Sequence, residues 1–423
     1  MNYKSEIARY VSKFEEQGYK KLCFWAPVYN IGGGTNYYCE LAQYLVMNTS
    51  LEVYYVDFKE GYATKILRNT NVKFIEYIEN EKYFPIKDKC LIIVNSTRVI
   101  QLKRMNKDSK ILFWHWETAP TAWHQVFLMG EYIDFFNLCK ENNAMVFHDW
   151  SARNAFKQQY NFVFDNKSYL YMHLPSKSRL ANPNELINEN EINLTWVGRI
   201  SHEKINSIFY LIDNFSKYQS DKRKVLHIVG DGYSMGALRK YVDKYKDQIY
   251  FDIVGTIERE DLDDYLIKNT DILFAMGRSS IEGAALKIPT AVVLLDTKPI
   301  KSNLFYWLFN TKEYCVGVTP RQTREFDIHY SRFNDLLDDI YMYNQKGSIA
   351  EKCYNYYMSH LSNHDSLVCD FLKYMDQSTL TMEKLESCIK YIPYNNIRVR
   401  RKRFLKKILS LDVINKEEFL NNE

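Results

Sequence analysis

The sequence predicts an α/β chain of two successive units, each a mainly parallel sheet with helices on both faces, followed by a helical, basic tail. Three observations carry this expectation. Short apolar runs of strand length alternate with helical patterns along most of the chain. Glycine- or serine-rich turns follow several of those runs. A polar stretch, 177–191 (KSRLANPNELINENE), has no strand pattern and separates two such alternations. We therefore divide the chain into 1–180, a linker at 181–191, 192–375 and a tail at 376–423. A length of 423 residues fits this count.

The first strand is 21–28 (KLCFWAPV), followed by Tyr29, Asn30, Ile31, Gly32, Gly33, Gly34 and Thr35 and a helical pattern over 36–47. Strand, glycine loop and helix open a nucleotide-binding type of unit. The loop is not G-x-G-x-x-G, so a dinucleotide reading is weak. Gly33, Gly34 and Thr35 let a ligand approach the backbone closely; the plain alternative is a tight strand-to-helix turn. Further strands are expected at 51–58, 72–77, 90–95, 110–114 and 144–147, with a helix over 151–160.

Ligands of such sheets bind beyond the carboxyl ends of the strands. That edge holds Trp114, His115, Trp116 and Glu117. His115 and Glu117 are candidates for acid–base work on a substrate; the plain alternative for His115 is a histidine packed between tryptophans.

The second unit begins with the strand 192–197 (INLTWV), and Gly198, Arg199, Ile200, Ser201, His202, Glu203 and Lys204 follow. Strands at 224–229 and 249–254 come next, the first closed by Gly230, Asp231 and Gly232. The run 271–293 (DILFAMGRSSIEGAALKIPTAVV) then reads as strand, turn, short helix and strand. Its turn exposes backbone N–H groups at Ser279, Ser280 and Ile281, with the positive end of a helix dipole behind them, and the two serines can cap that helix. Glu282 lies in the first helical turn, close enough to accept from a sugar hydroxyl. Arg199 and Lys204 leave another strand at the same edge. Two cations and a helix start make a diphosphate site, since arginine binds phosphate bidentately and lysine adds a point charge. Beyond 295 the pattern is mostly helical: 302–309, 332–344, one long helix over 349–375, 382–391 and 401–411.

No apolar run approaches the ~20 residues of a membrane helix. The N-terminus is charged and has no signal core. The eight cysteines are scattered, with no C-x-x-C pair, as in reduced core positions. Both features predict a cytoplasmic chain. Net charge is only +4, yet 398–407 (RVRRKRFLKK) carries seven cations and no acid. Mixed with Phe404, Leu405, Ile408 and Leu409, this is a basic amphipathic helix suited to an anionic membrane surface. A solvated helix packed on the body is the plain alternative. Nucleic acid is not expected as a partner, because no recognised module accompanies the patch.

Four segments of the second unit, VGRISHEK (197–204), HIVGDG (227–232), VGTIEREDLDDYL (254–266) and SSIEGAALKIPTAV (279–292), resemble the nucleotide-sugar domain of GT-B glycosyltransferases, especially family 4, in order and spacing. The resemblance implies two Rossmann-like domains facing across a cleft. It assigns the donor diphosphate to Arg199 and Lys204, the ribose to Glu282, and donor contacts to Gly232, Ser279, Ser280 and Ile281. The first glutamate of that family's E-x7-E motif would fall at Phe274. The N-terminal unit is similar to the family's acceptor domain: Gly32 to Thr35 with Leu41 and Ala42, and Trp116, Glu117, Pro120 and Trp123 as a W-E…P…W pattern. His115 or Glu117 would face the reacting sugar.

The resemblance further implies sugar transfer, with retention at the anomeric carbon, from a nucleotide-diphosphate sugar to an acceptor hydroxyl. A lipid-linked glycan of cell-surface polysaccharide synthesis suits the basic tail as the acceptor. The donor is a substrate, and no cofactor or metal is expected. Asp261-Leu262-Asp263 has the letters of a metal site but lies at a helix start, where acids suit the dipole. His360 and His364 lack an adjacent glutamate and a third ligand. The alternatives are a degenerate GT-B protein that binds a sugar nucleotide without turnover, which Phe274 favours, and a sugar-nucleotide epimerase.

Overall fold

A computed structural model describes residues 2–29, 33–79, 81–116, 131–165, 167–171, 173–174 and 177–389. Glu117, Pro120, Trp123 and the basic segment 398–407 lie outside the described residues. Among the described residues no helix is long and apolar enough to cross a membrane.

The first unit contains α1 (Tyr3–Glu16), β1 (Lys21–Trp25), α2 (Gly33–Asn48), β2 (Glu52–Asp57), α3 (Tyr62–Leu67) and β3 (Lys73–Glu76). It continues with β4 (Leu91–Asn95), β5 (Lys110–His115), α4 (Glu131–Glu141), β6 (Met145–Phe147) and α5 (Trp150–Tyr160). Its six strands are all parallel, in the order β3-β2-β1-β4-β5-β6. This is a doubly wound order that reverses between β1 and β4. Every residue of β4 is buried, as expected of a central parallel strand covered on both faces.

The second unit contains β7 (Glu191–Val197), α6 (Ile205–Lys217), β8 (Arg223–Val229), α7 (Met235–Val242), β9 (Tyr250–Gly255) and α8 (Arg259–Asn269). Then come β10 (Ile272–Ala275), α9 (Arg278–Ala285), β11 (Thr290–Val292), β12 (Leu304–Trp307) and β13 (Ser331–Arg332), followed by α10 (Phe333–Tyr341) and α11 (Lys346–His360). The order is β13-β12-β11-β10-β7-β8-β9, with β12 and β13 antiparallel at one edge. The reversal here falls between β7 and β10.

Two helical expectations are corrected. The stretch 302–309 forms β12 and a short 3-10 turn, Leu308–Asn310. Its run of Phe305, Tyr306 and Trp307 is aromatic, and such rings fit a pleated, buried surface better than a helix. The single long helix expected over 349–375 is two helices, α11 and α12 (His364–Gln377). The break falls at Asn363, whose side chain accepts from Ser366 N at 3.1 Å and caps the second helix.

That break turns the chain back to the first unit. Phe371, Leu372 and Met375 of α12 join Phe14 and Phe24 in one core, and Lys13 pairs with Asp376 at 2.8 Å. The following residues clamp β5, with Ile111 N donating to Leu380 O at 2.9 Å and Ser378 Oγ to Ile111 O at 2.7 Å. A last helix, α13 (Met382–Cys388), completes the described chain. The chain from 364 thus packs with the first unit, whereas the sequence reading grouped 364–375 with the second.

The two units also meet through polar and aromatic groups. Ser151 and Gln322 exchange two hydrogen bonds at 3.0 Å, and Trp150 stacks on Phe326 with centroids 4.6 Å apart.

One buried charge pair anchors the linker. Asp271 Oδ1 accepts from Lys346 Nζ at 2.6 Å and from Ile187 N at 2.9 Å, while Oδ2 accepts from Tyr341 Oη at 3.1 Å. Lys346 also donates to Glu185 O at 2.6 Å. Removing one partner of such a pair strands the other charge, at a cost of about 3–5 kcal/mol. Lys346→Ala is therefore expected to lower unfolding stability by that amount in urea titration; a loss under about 1 kcal/mol would show that the pair is dispensable.

Candidate functional site

The site forms where the strand order of the second sheet reverses. Trp196 of β7 lies opposite Phe274 of β10. The turn that starts at Gly198 and the turn at Gly277 therefore leave neighbouring strand ends, about 4.8 Å apart. Arg199 and Lys204 belong to the first turn, and Ser279, Ser280, Ile281 and Glu282 to the helix that follows the second. The residues that the sequence assigned to a diphosphate thus follow neighbouring strand ends.

The first turn is held by backbone. Gly198 N donates to Val229 O, Ile200 N to Asp231 O, and Ser234 N to Ile200 O, at 3.0, 2.9 and 3.0 Å. Such close zipping demands glycine on the β8 side. Gly230 has φ +135°, and a Cβ there would collide with the carbonyl of Gly198. A Cβ on Gly232 would collide with the carbonyl of Ile200. Gly232 thus shapes the loop that carries Arg199.

Arg199 is exposed. Lys204 turns back over the strand end, its Nζ 3.6 Å from where a Cβ on Gly198 would lie. Among the described residues neither cation has a carboxylate within ion-pair distance. Part of the Lys204 side chain stays accessible, but its ammonium is closely surrounded by protein. Burial first, then the neighbouring Arg199 charge, push its pKa down to about 8, against the opposing pull of Glu203.

The second turn differs from expectation in one respect. Neither Ser279 nor Ser280 caps α9. The N-cap is Gly277, at φ +61°, with no side-chain cap. The Ser280 hydroxyl instead donates to Gly277 O at 2.7 Å, and Gly277 N donates to Val316 O at 2.8 Å. The start of α9 thus keeps N–H groups that no side-chain cap satisfies. Ile281 is buried against the sheet. Gly283 lets α9 sit close to β10 and β11, since a Cβ there would meet Leu273 and Thr290.

Glu282 is 12% exposed, and its Oε1 accepts from Arg278 Nε at 3.1 Å. Arg278 was not singled out in the sequence, yet it joins the two units. Its two terminal nitrogens donate to Glu40 on α2 at 2.9 and 2.8 Å. Burial lowers the guanidinium pKa, and the two carboxylates more than reverse that effect. The spacing of Arg278 and Glu282, four apart at a helix start, was the only sequence signal for the pair.

On the first unit His115 and Thr35 are buried. His115 is 2% exposed. Its Nδ1 lies 2.8 Å from Ser96 Oγ, and its ring packs on Phe147 and Phe156. Gly33 and Gly34 open α2, and a Cβ on Gly34 would collide with the Trp116 indole. Thr35 is 6% exposed. Asp57, at the carboxyl end of β2, accepts from the N–H groups of Val28, Phe58, Ala63 and Thr64. That carboxylate is spent on backbone, which removes the ribose acid of a dinucleotide site.

Phe274 is fully buried between Phe305 and Phe333. Asp263, in the Asp-x-Asp segment, pairs with Lys177 at 2.8 Å. His360 ends α11 and His364 begins α12, so they do not share a helix face.

Neither a protein-family model nor a curated protein sequence matches this chain. Solved structures do match. A glycosyltransferase from Rickettsia africae aligns with TM-score 0.54 at 13% identity, over 85% of this chain and 98% of that one. A TarM variant from S. aureus, in complex with fondaparinux, α-GlcNAc-glycerol and UDP, aligns with TM-score 0.52 at 10% identity, over 84% and 100%. HepE from Anabaena, in complex with UDP, aligns with TM-score 0.50 at 11% identity, over 84% and 98%. The shared architecture is two Rossmann-like domains across a cleft, the GT-B fold.

Gly230→Ala is expected to destabilise the chain by more than about 1 kcal/mol, because its φ is positive and its Cβ position is occupied. Gly236, with nothing near its Cβ position, is the control, and Gly236→Ala is expected to be neutral or stabilising. Equal melting temperatures for the two variants would contradict this account of the loop.

Proposed function

We propose that this protein is a glycosyltransferase that moves a sugar from a nucleotide-diphosphate donor to an acceptor hydroxyl. One observation supports the reading: Arg199 and Lys204, without carboxylate partners within ion-pair distance among the described residues, follow the strand end next to the one from which the uncapped start of α9 leaves. Such an arrangement is built for a dense anion.

In the reaction the bond between the anomeric carbon and the terminal phosphate oxygen breaks, and a bond to the acceptor oxygen forms. The acceptor proton leaves, and negative charge collects on the diphosphate. Arg199, Lys204 and the N–H group at Ser279 stabilise that charge without a metal. The second oxygen of Glu282 has no protein partner among the described residues and is assigned to a ribose hydroxyl. By analogy with the GT-B enzymes it resembles, the acceptor is assigned to the first unit and retention to the transfer. The analogy also makes His115 or Glu117 the group facing the sugar, and the burial of His115 makes Glu117 the one to test first. A lipid-linked glycan acceptor and an anionic membrane surface for 398–407 complete the proposal.

Binding without turnover is the second reading, because Phe274 removes the carboxylate that the resembling family carries there. Release of free nucleoside diphosphate from a sugar nucleotide distinguishes the two.

Lys204→Ala is expected to lower turnover about a hundred- to a thousandfold with an unchanged circular dichroism spectrum. Near-normal turnover would refute the assignment. The pH dependence follows from the depressed pKa. The ammonium binds phosphate, and in the free chain it is lost as pH rises through about 8. UDP affinity, read by calorimetry, is expected to fall above that pH and to be accompanied by proton uptake near it. Constant affinity to pH 10 would rule out a role for the Lys204 charge.

A further inference from the structure

The ion-pair chain Glu40–Arg278–Glu282 crosses from the first unit to the second. Its side chains are 21%, 11% and 12% exposed, so all three are largely withdrawn from water. The geometry is unequal. Arg278 gives its two-pronged edge, both terminal nitrogens, to Glu40. It gives Glu282 a single bond, from Nε to Oε1.

We propose that Glu40 is a positioning residue for the donor site, acting through Arg278 on Glu282. This rests on the nucleotide-sugar reading above. A guanidinium offered only one carboxylate four residues along its helix pairs with it through both oxygens when it can. Here Glu40 draws the fork away across the cleft. Glu282 is thereby pinned by one oxygen, and the other is left for a hydroxyl of the nucleotide ribose. The acid that recognises the donor is set in position by a residue of the opposite unit. Donor affinity and the closed arrangement of the units are consequently linked: whatever separates α2 from α9 frees Arg278 to cover Glu282.

The reciprocal change is also built in. A donor hydroxyl bound to Glu282 holds it in the single-bonded arrangement and favours the bridge to Glu40, as linkage requires.

The test is a mutant cycle read by UDP binding, with GDP and ADP run in parallel. Glu40→Gln keeps size and hydrogen bonding, and avoids the two buried carboxylates that Arg278→Ala would leave unpaired. It is expected to weaken nucleotide binding about tenfold. In an E282A background, E40Q is expected to have no further effect. Small-angle scattering of E40Q should show a larger radius of gyration without nucleotide, reduced when nucleotide is added. If the unmodified chain binds UDP and E40Q binds it equally well, the positioning role is wrong and the nucleotide reading stands. If E40Q weakens binding as much with E282A as without it, Glu40 does not act through Glu282. If the unmodified chain binds none of the three nucleotides, the nucleotide reading falls and this proposal falls with it.

Discussion

Two positive side chains held close together, with no carboxylate within ion-pair distance among the described residues, are the constraint around which the second unit is arranged. Arg199 and Lys204 repel, and burial makes the Lys204 charge costlier still. A chain keeps such a pair only where something anionic completes it. The surroundings are consistent with that demand. The carboxylates of Asp252, Asp263 and Asp271, carried on neighbouring strands and helices, are tied to His227, Lys177 and Lys346. The backbone around the cations is zipped so tightly that glycine is required at Gly230 and Gly232.

The second theme is how the units are joined. Their contacts mix stacked rings with hydrogen-bonded polar side chains, such as Trp150 on Phe326 and Ser151 with Gln322. Buried apolar residues of both units also share one continuous core. The chain crosses between units twice, the second time at the break between α11 and α12. The return of α12 onto α1 stitches the end of the described chain into the first core. Motion between the units is thus expected to hinge about these crossings, and the Arg278 bridge lies between helices that such motion would separate.

Most of the alternation was legible along the chain. Buried parallel strands are nearly continuous apolar runs, as in LIIVN of β4. The turn residues at their ends carry glycine for reasons local to the backbone. Even so, one aromatic stretch misled. Leu304–Trp307 is a strand because a partner strand, β11, lies beside it, and no local pattern reveals a partner. Trp114, His115 and Trp116 lie at the edge the sequence assigned to ligands, and their rings pack on Tyr38, Phe147 and Phe156.

The sequence by itself determined the order of elements, the two doubly wound units and the placing of Arg199 with Lys204 after one strand and Glu282 after its neighbour, because each depends on periodicity or on short turns. Only the tertiary structure decided that Gly277 and not a serine starts α9, that His115 is enclosed, that α12 belongs to the first core, and that Glu40 reaches Arg278. The physical reason is separation along the chain: Glu40 and Arg278 are 238 residues apart, and no local propensity encodes which distant charge a buried guanidinium will meet.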